Sequence, residues 1–135
     1  MQTVLVIDDD ATTLLGWALV LRSLSYTVLE AGSRGEAWRV CREHQGPIHL
    51  ILMKAILNDD STSEFIARLQ LLCPQIRALF VSDGPLTESS VRQSTPYQYA
   101  CLQKPFQLDA FVDTIGKLLS EPNKRPSFSF WMCCK

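Results

Sequence analysis

The feature that most constrains this chain is an alternation repeated five times. Short apolar runs rich in β-branched residues are each followed by a segment whose apolar residues recur at helical spacing. The runs are Thr3-Val4-Leu5-Val6-Ile7 and residues 26–29, 48–53, 78–81 and 99–102. A strand that is apolar almost throughout is buried on both faces, and repeated strand–helix units call for a parallel sheet covered on both sides. The expected fold class is therefore α/β: a five-stranded parallel sheet, doubly wound, in three αβα layers.

The helices announce themselves locally. Residues 12–24 carry Leu14, Leu15, Ala18, Leu19 and Leu21 on one stripe. Ser33-x-x-Glu36 and Ser61-x-x-Glu64 are capping boxes, and Gly46-Pro47 and Pro74 end the helices that follow them. A short fourth helix is expected at residues 87–94. Leu108, Phe111, Val112, Ile115, Leu118 and Leu119 form the clearest stripe of all.

The chain has 135 residues, the size of one domain able to bury a core without a disulfide or metal staple. Residues 1–120 are expected to form that domain and residues 121–135 a C-terminal tail. Thirteen Lys and Arg face fourteen Asp and Glu, a balance that gives no electrostatic footprint for nucleic acid or an anionic membrane. No apolar run approaches the roughly 20 residues needed to span a bilayer, and the first strand begins at once with no basic leader. A cytoplasmic location is expected. The five cysteines (Cys41, Cys73, Cys101, Cys133 and Cys134) include no C-x-x-C pair. Cys41 and Cys73 are expected as small buried hydrophobes, and Cys133-Cys134 as part of a solvent-exposed tail. That tail, with its apolar stretch Ser127-Phe-Ser-Phe-Trp-Met-Cys-Cys, is expected to dock on its own domain, pair with a second copy, or begin an output segment.

In doubly wound sheets the chemistry gathers beyond the carboxyl ends of the strands. The polar residues there are Asp8, Asp9 and Asp10 after the first strand, Lys54 after the third, Ser82 after the fourth and Lys104 after the fifth. Adjacent carboxylates repel unless a cation neutralises them, and hard oxygen donors suit Mg²⁺. For Asp10 the simpler role of helix N-cap is preferred.

Val-Leu-Val-Ile-Asp8-Asp9-Asp10, Phe80-Val81-Ser82 and Leu102-Gln103-Lys104-Pro105-Phe106 together resemble bacterial response-regulator receiver domains of the CheY-like kind, over residues 3 to about 119. In that family Mg²⁺ sits on the acidic pair, and a histidine kinase's phosphoryl group passes to an Asp that ends the third strand. The resemblance implies that Asp8 and Asp9 are the metal pair, Ser82 the hydroxyl and Lys104 the lysine that contact phosphoryl oxygens. It also implies a cis peptide before Pro105.

This chain departs from the pattern where the acceptor should stand. His49-Leu50-Ile51-Leu52-Met53-Lys54 ends in a lysine, and a protonated ammonium is no nucleophile for aspartyl-phosphate chemistry. Cys101 occupies the position of the family's aromatic switch. Two acids and two lysines leave the pocket neutral, so Mg²⁺ is expected to bind weakly or not at all. The resemblance thus implies a pseudo-receiver in a two-component phosphorelay that works by protein–protein contact and is not an enzyme. Its expected partners are a histidine kinase, a phosphotransfer protein or an output protein, and a second copy of the chain is a further candidate. They would meet the face formed by the fourth helix, fifth strand and fifth helix, including Tyr97, Tyr99 and Cys101. The competing class is an enzyme: Asp8-x-Asp10-Ala-Thr12 also fits the nucleophile motif of haloacid-dehalogenase-like phosphatases, with Ser82 and Lys104 as their later motifs. No acid-bearing strand follows to complete such a metal site. His44 and His49 pair in sequence with no candidate nucleophile, and Trp17, Trp38 and Trp131 are expected as ordinary packing aromatics.

Overall fold

The computed structural model describes residues 2–54, 61–74, 76–82, 99–103, 107–120 and 129–133. Within them the order is β1 (Thr3–Ile7), α1 (Ala11–Ser23), β2 (Thr27–Ala31), α2 (Arg34–Glu43), β3 (Leu50–Lys54), α3 (Ser61–Leu72), β4 (Arg77–Ser82), β5 (Tyr99–Gln103), α4 (Leu108–Ser120) and β6 (Ser129–Cys133). The expected short helix at 87–94 lies outside the described residues, so α4 is the fifth helix of the sequence reading.

All strand pairings are parallel, in the spatial order β2-β1-β3-β4-β5-β6. The five expected strands are there, flanked by a sixth. The apolar alternation of each strand feeds two cores. Leu5, Ile7, Ile51, Met53, Ala78 and Phe80 point to one face, where Ala37 and Cys41 of α2 and Phe65 and Leu69 of α3 cover them. Val4, Val6, Leu50, Leu52, Leu79 and Val81 point to the other, under Ala18 and Leu21 of α1 and Phe111, Ile115 and Leu118 of α4. A side chain from every second residue goes to each layer, which is why the strands read as continuous hydrophobic runs.

Local chemistry sets the boundaries. Asp10 is the N-cap of α1, its carboxylate accepting from the Thr13 backbone N–H at 3.2 Å and from the Thr13 hydroxyl. Ser33 Oγ accepts from Glu36 N–H at 3.1 Å, so Ser33 caps α2 as the spacing implied. The second strand begins at Thr27 and not at residue 26. Ser25 takes the left-handed conformation (φ 72°), and Tyr26 N–H still bonds Leu21 O of α1 at 3.1 Å, so extension starts one residue later. The third strand likewise starts at Leu50, because His49 is spent tying down the first strand. His49 N–H donates to Thr3 O, and Thr3 N–H donates to His49 Nδ1, both at 2.9 Å.

An imidazole whose Nδ1 accepts a backbone proton is held in its neutral form. Burial, with the positive charge of Arg77 adding to it, holds the His49 pKa below its ordinary value. Between that lowered value and the unfolded value of about 6.5, the unfolded chain binds more protons, so stability falls as pH drops below about 6.5. The melting temperature should therefore be lower at about pH 5.5 than at pH 7.5, and His49→Asn, which keeps an acceptor but does not titrate, should flatten that difference. Thermal denaturation at both pH values reads it directly; an unchanged slope in the variant assigns the pH response to other groups.

β6 comes from the segment expected as a tail. It pairs with β5 over five residues, from Tyr99↔Ser129 to Gln103↔Cys133. A bare β5 would present a row of unpaired backbone groups, and an apolar segment such as Phe130-Trp131-Met132 is suited to cover it. The register sets Phe130 opposite Ala100 and Met132 opposite Leu102.

Candidate functional site

The carboxyl ends of β1 and β3 lie side by side, because Ile7 pairs with Met53. The residues that follow, Asp8 and Lys54, therefore emerge at the same edge of the sheet. Asp8 is half-buried, whereas Asp9 and Lys54 are exposed. The Asp8 N–H bonds Ala31 O at 3.1 Å, and Asp8 Oδ1 accepts from the Asp10 N–H at 2.9 Å. These bonds fix the acidic turn against the end of β2.

A cavity of about 260 Å³ opens here, lined by Ile7, Asp8, Asp9, Ser33, Arg34, Met53 and Lys54. A void of about 10 Å³, on the scale of one water, adjoins Asp8 and Lys54 and reaches Trp17, Leu52 and Val81. Two carboxylates and two cations thus share one wall system. Ser82 ends β4 and is buried, one residue past the Lys54↔Val81 pair and opposite Gln103. Cys101 sits in β5 opposite Phe80. Lys104, Pro105 and Tyr97 lie outside the described residues, and with them the implied cis peptide.

Sequence reasoning placed Asp8, Asp9 and Lys54 together and missed Arg34 and Ser33. A signal was available: Gly32-Ser33-Arg34 follows β2, whose carboxyl end belongs to the same edge of the sheet. The apolar character of β2 drew attention to its packing and away from the loop after it. Asp10 belongs to α1 as its N-cap, and its carboxylate is engaged with Thr13.

No nucleophilic cysteine emerges at this edge among the described side chains. Cys41 in α2 and Cys73 just past α3 hydrogen-bond each other, and burial pushes the Cys41 thiol up to about 11. A thiol held protonated is inert, in keeping with a packing role.

The DNA-binding transcriptional regulator NtrC of Rhizobium meliloti is 27% identical over 125 residues, spanning 93% of this chain and 25% of that protein. A CheY-like response regulator receiver domain protein from Methanospirillum hungatei superposes with a TM-score of 0.70 at 21% identity, covering 88% of this chain and 94% of that one. This chain has the fold of CheY-like receiver domains. A response regulator from Burkholderia pseudomallei, solved with a phosphorylated aspartic acid, a calcium ion and citrate, superposes with a TM-score of 0.66 at 23% identity, over 84% of this chain and 66% of that one. No protein-family model matches the chain. The chain spans about a quarter of the length of the NtrC relatives. Among its described residues no helix is long and apolar enough to cross a membrane.

Proposed function

We propose that this receiver is a pseudo-receiver, a signalling module that works by binding and is not phosphorylated in the way its relatives are. The observation that carries the reading is the placement of Lys54. It ends β3, where the family's acceptor aspartate stands, and lines one cavity with Asp8 and Asp9. An ammonium there offers neither the carboxylate that would take a phosphoryl group nor a metal ligand. Arg34 on the same wall adds a second cation.

The family's Mg²⁺ does not suit this donor set. Hard dications are drawn by an excess of carboxylate, and here two acids and two cations line one cavity. Among the described residues no third His, Cys, Asp or Glu joins Asp8 and Asp9 in a group able to hold a metal. Lys104, by its place in the Lys-Pro-Phe signature, would add a further positive charge.

Signalling then falls to surfaces, with a histidine kinase, a phosphotransfer protein or an output segment as partners and the chain in the cytoplasm. The receiver's partner face is built around β5 and α4. In this chain β6 covers the outer edge of β5, so a partner meets α4 and β6 before it meets β5. A phosphatase mechanism through Asp8 and Asp10 gains no support, because the Asp10 carboxylate is committed to capping α1.

Incubation of the full chain with acetyl phosphate and Mg²⁺, followed by intact-mass measurement under acid quench, tests the reading. The expected spectrum is that of the unmodified chain. A labile adduct of the mass of one phosphoryl group would refute it.

A further inference from the structure

The outward side of α1 carries an uncharged strip. Thr12, Leu15, Gly16, Leu19 and Ser23 are exposed there, opposite the Ala18 and Leu21 side that packs on the sheet. Leu15 and Leu19, one turn apart, leave 52% and 58% of their surfaces open. Arg22 is the only charged residue of the helix, and its guanidinium is turned to β2, 2.9 Å from Glu30 Oε2 and 3.4 Å from Val28 O. The outward sides of the other described helices are charged: Arg39 and Glu43 on α2, Glu64 and Arg68 on α3, Asp113 and Lys117 on α4. Gly16 stands in mid-helix, where glycine weakens a helix relative to alanine. A Cβ there would meet nothing within 4 Å, so no described neighbour within the domain requires the glycine.

We infer that α1 is a contact surface for a second copy of this chain, packed antiparallel so that Leu19 of each copy seats over Gly16 of the other. The spacing makes the strip complementary to itself. About a two-fold axis level with the Trp17–Ala18 peptide, Leu19 lies opposite Gly16 and Thr12 opposite Ser23. Each pair then occurs twice, as an isologous interface requires. The bare Cα of Gly16 lets the two backbones approach, and a leucine fills the notch. Antiparallel packing also sets the two helix dipoles against each other. A charged partner surface would find no counter-charge on this strip, whereas a second copy brings the same uncharged one. Arg22 stays on Glu30 at the margin, so no charge is buried. One helix face buries less than the roughly 800 Å² per partner of a stable interface, so association is weak, half-complete at about 0.1–1 mM. This surface is separate from the face around β5 and α4 and does not depend on Lys54.

The test is sedimentation equilibrium of the full chain from about 20 μM to 1 mM, with ¹⁵N amide shifts recorded over the same dilution series. The average mass should climb from that of one chain toward that of two, with shift changes centred on the amides of Thr12, Gly16, Leu19 and Ser23. Gly16→Gln fills the notch with a good helix former, and Leu19→Glu puts a charge in the strip; both positions are exposed, so the fold is retained. Each should weaken association at least about tenfold. An equimolar mixture of Leu19→Glu and Leu19→Lys should associate more tightly than either variant alone, because the two-fold axis brings the two positions together. A single-chain mass throughout, association undiminished in both Gly16→Gln and Leu19→Glu, or no recovery in the mixture would overturn the inference.

Discussion

Lys54→Asp should convert the domain from one that ignores acetyl phosphate to one that takes up a single phosphoryl group. The substitution places a third carboxylate beside Asp8 and Asp9 in the cavity at the ends of β1 and β3. It removes an ammonium and adds a carboxylate, a swing of two charges toward the acidic site that a hard dication requires. Lys54 is exposed at the end of its strand, so the change leaves both cores intact. Each tenfold gain in Mg²⁺ affinity corresponds to about 1.4 kcal/mol, and a carboxylate within a few ångströms of a dication contributes an attraction of at least that order even in a well-screened site. The expected result is saturable millimolar Mg²⁺ binding and a labile adduct of one phosphoryl mass. If the variant folds yet stays unmodified, Lys54 is not what silences the site, and the cause lies elsewhere around Asp8 and Ser82.

The largest effect on stability is expected at Phe111. Its ring is fully buried between α4 and the sheet and stacks on Trp17 at a centroid distance of 4.8 Å. Phe111→Ala removes that ring from the α1/α4 core, a change that costs about 3–5 kcal/mol through lost transfer energy and the cavity left behind. For a domain of this size the melting temperature should drop by about 10–20 °C. Because Trp17 is the stacking partner and also reaches the void beside Lys54, its emission should shift to the red. Differential scanning calorimetry with parallel fluorescence measures both. A loss below about 1 kcal/mol would mean that the two sides of the sheet do not share one cooperative core.

Much of the fold was legible in the residues. Thr3–Ile7 is a strand because nothing in it can face water, and Leu108–Ser120 is a helix because Phe111, Ile115, Leu118 and Leu119 fall on one side. The Ser33 cap of α2 reads the same way in sequence and structure. These are local signals, each contained within a turn or two of chain. What escaped the reading depends on partners far away in sequence. The start of β3 is set by His49 reaching Thr3, 46 residues distant, and the start of β2 by a left-handed Ser25 that sequence propensity does not favour. β6 exists through pairing with Tyr99–Gln103, so of the outcomes open to the apolar tail it is docking on its own domain that occurs, as a strand that no local signal marks.

The site shows the same division. Asp8, Asp9 and Lys54 could be grouped in advance because the carboxyl ends of parallel strands share an edge, and the Ile7↔Met53 register brings them there. Arg34 could not be grouped by motif, since it reaches the cavity from the first turn of α2. Its presence sharpens the electrostatic account, because the cavity lined by the two acids is also lined by two cations.

Titration of the unmodified chain with Mg²⁺, followed through Trp17 emission beside Asp8 and Lys54, puts the neutral-pocket account to its most direct test. The account predicts no saturable change up to about 10 mM, well beyond the range in which carboxylate-rich sites fill. A saturable millimolar transition, lost in Asp9→Asn, would contradict it.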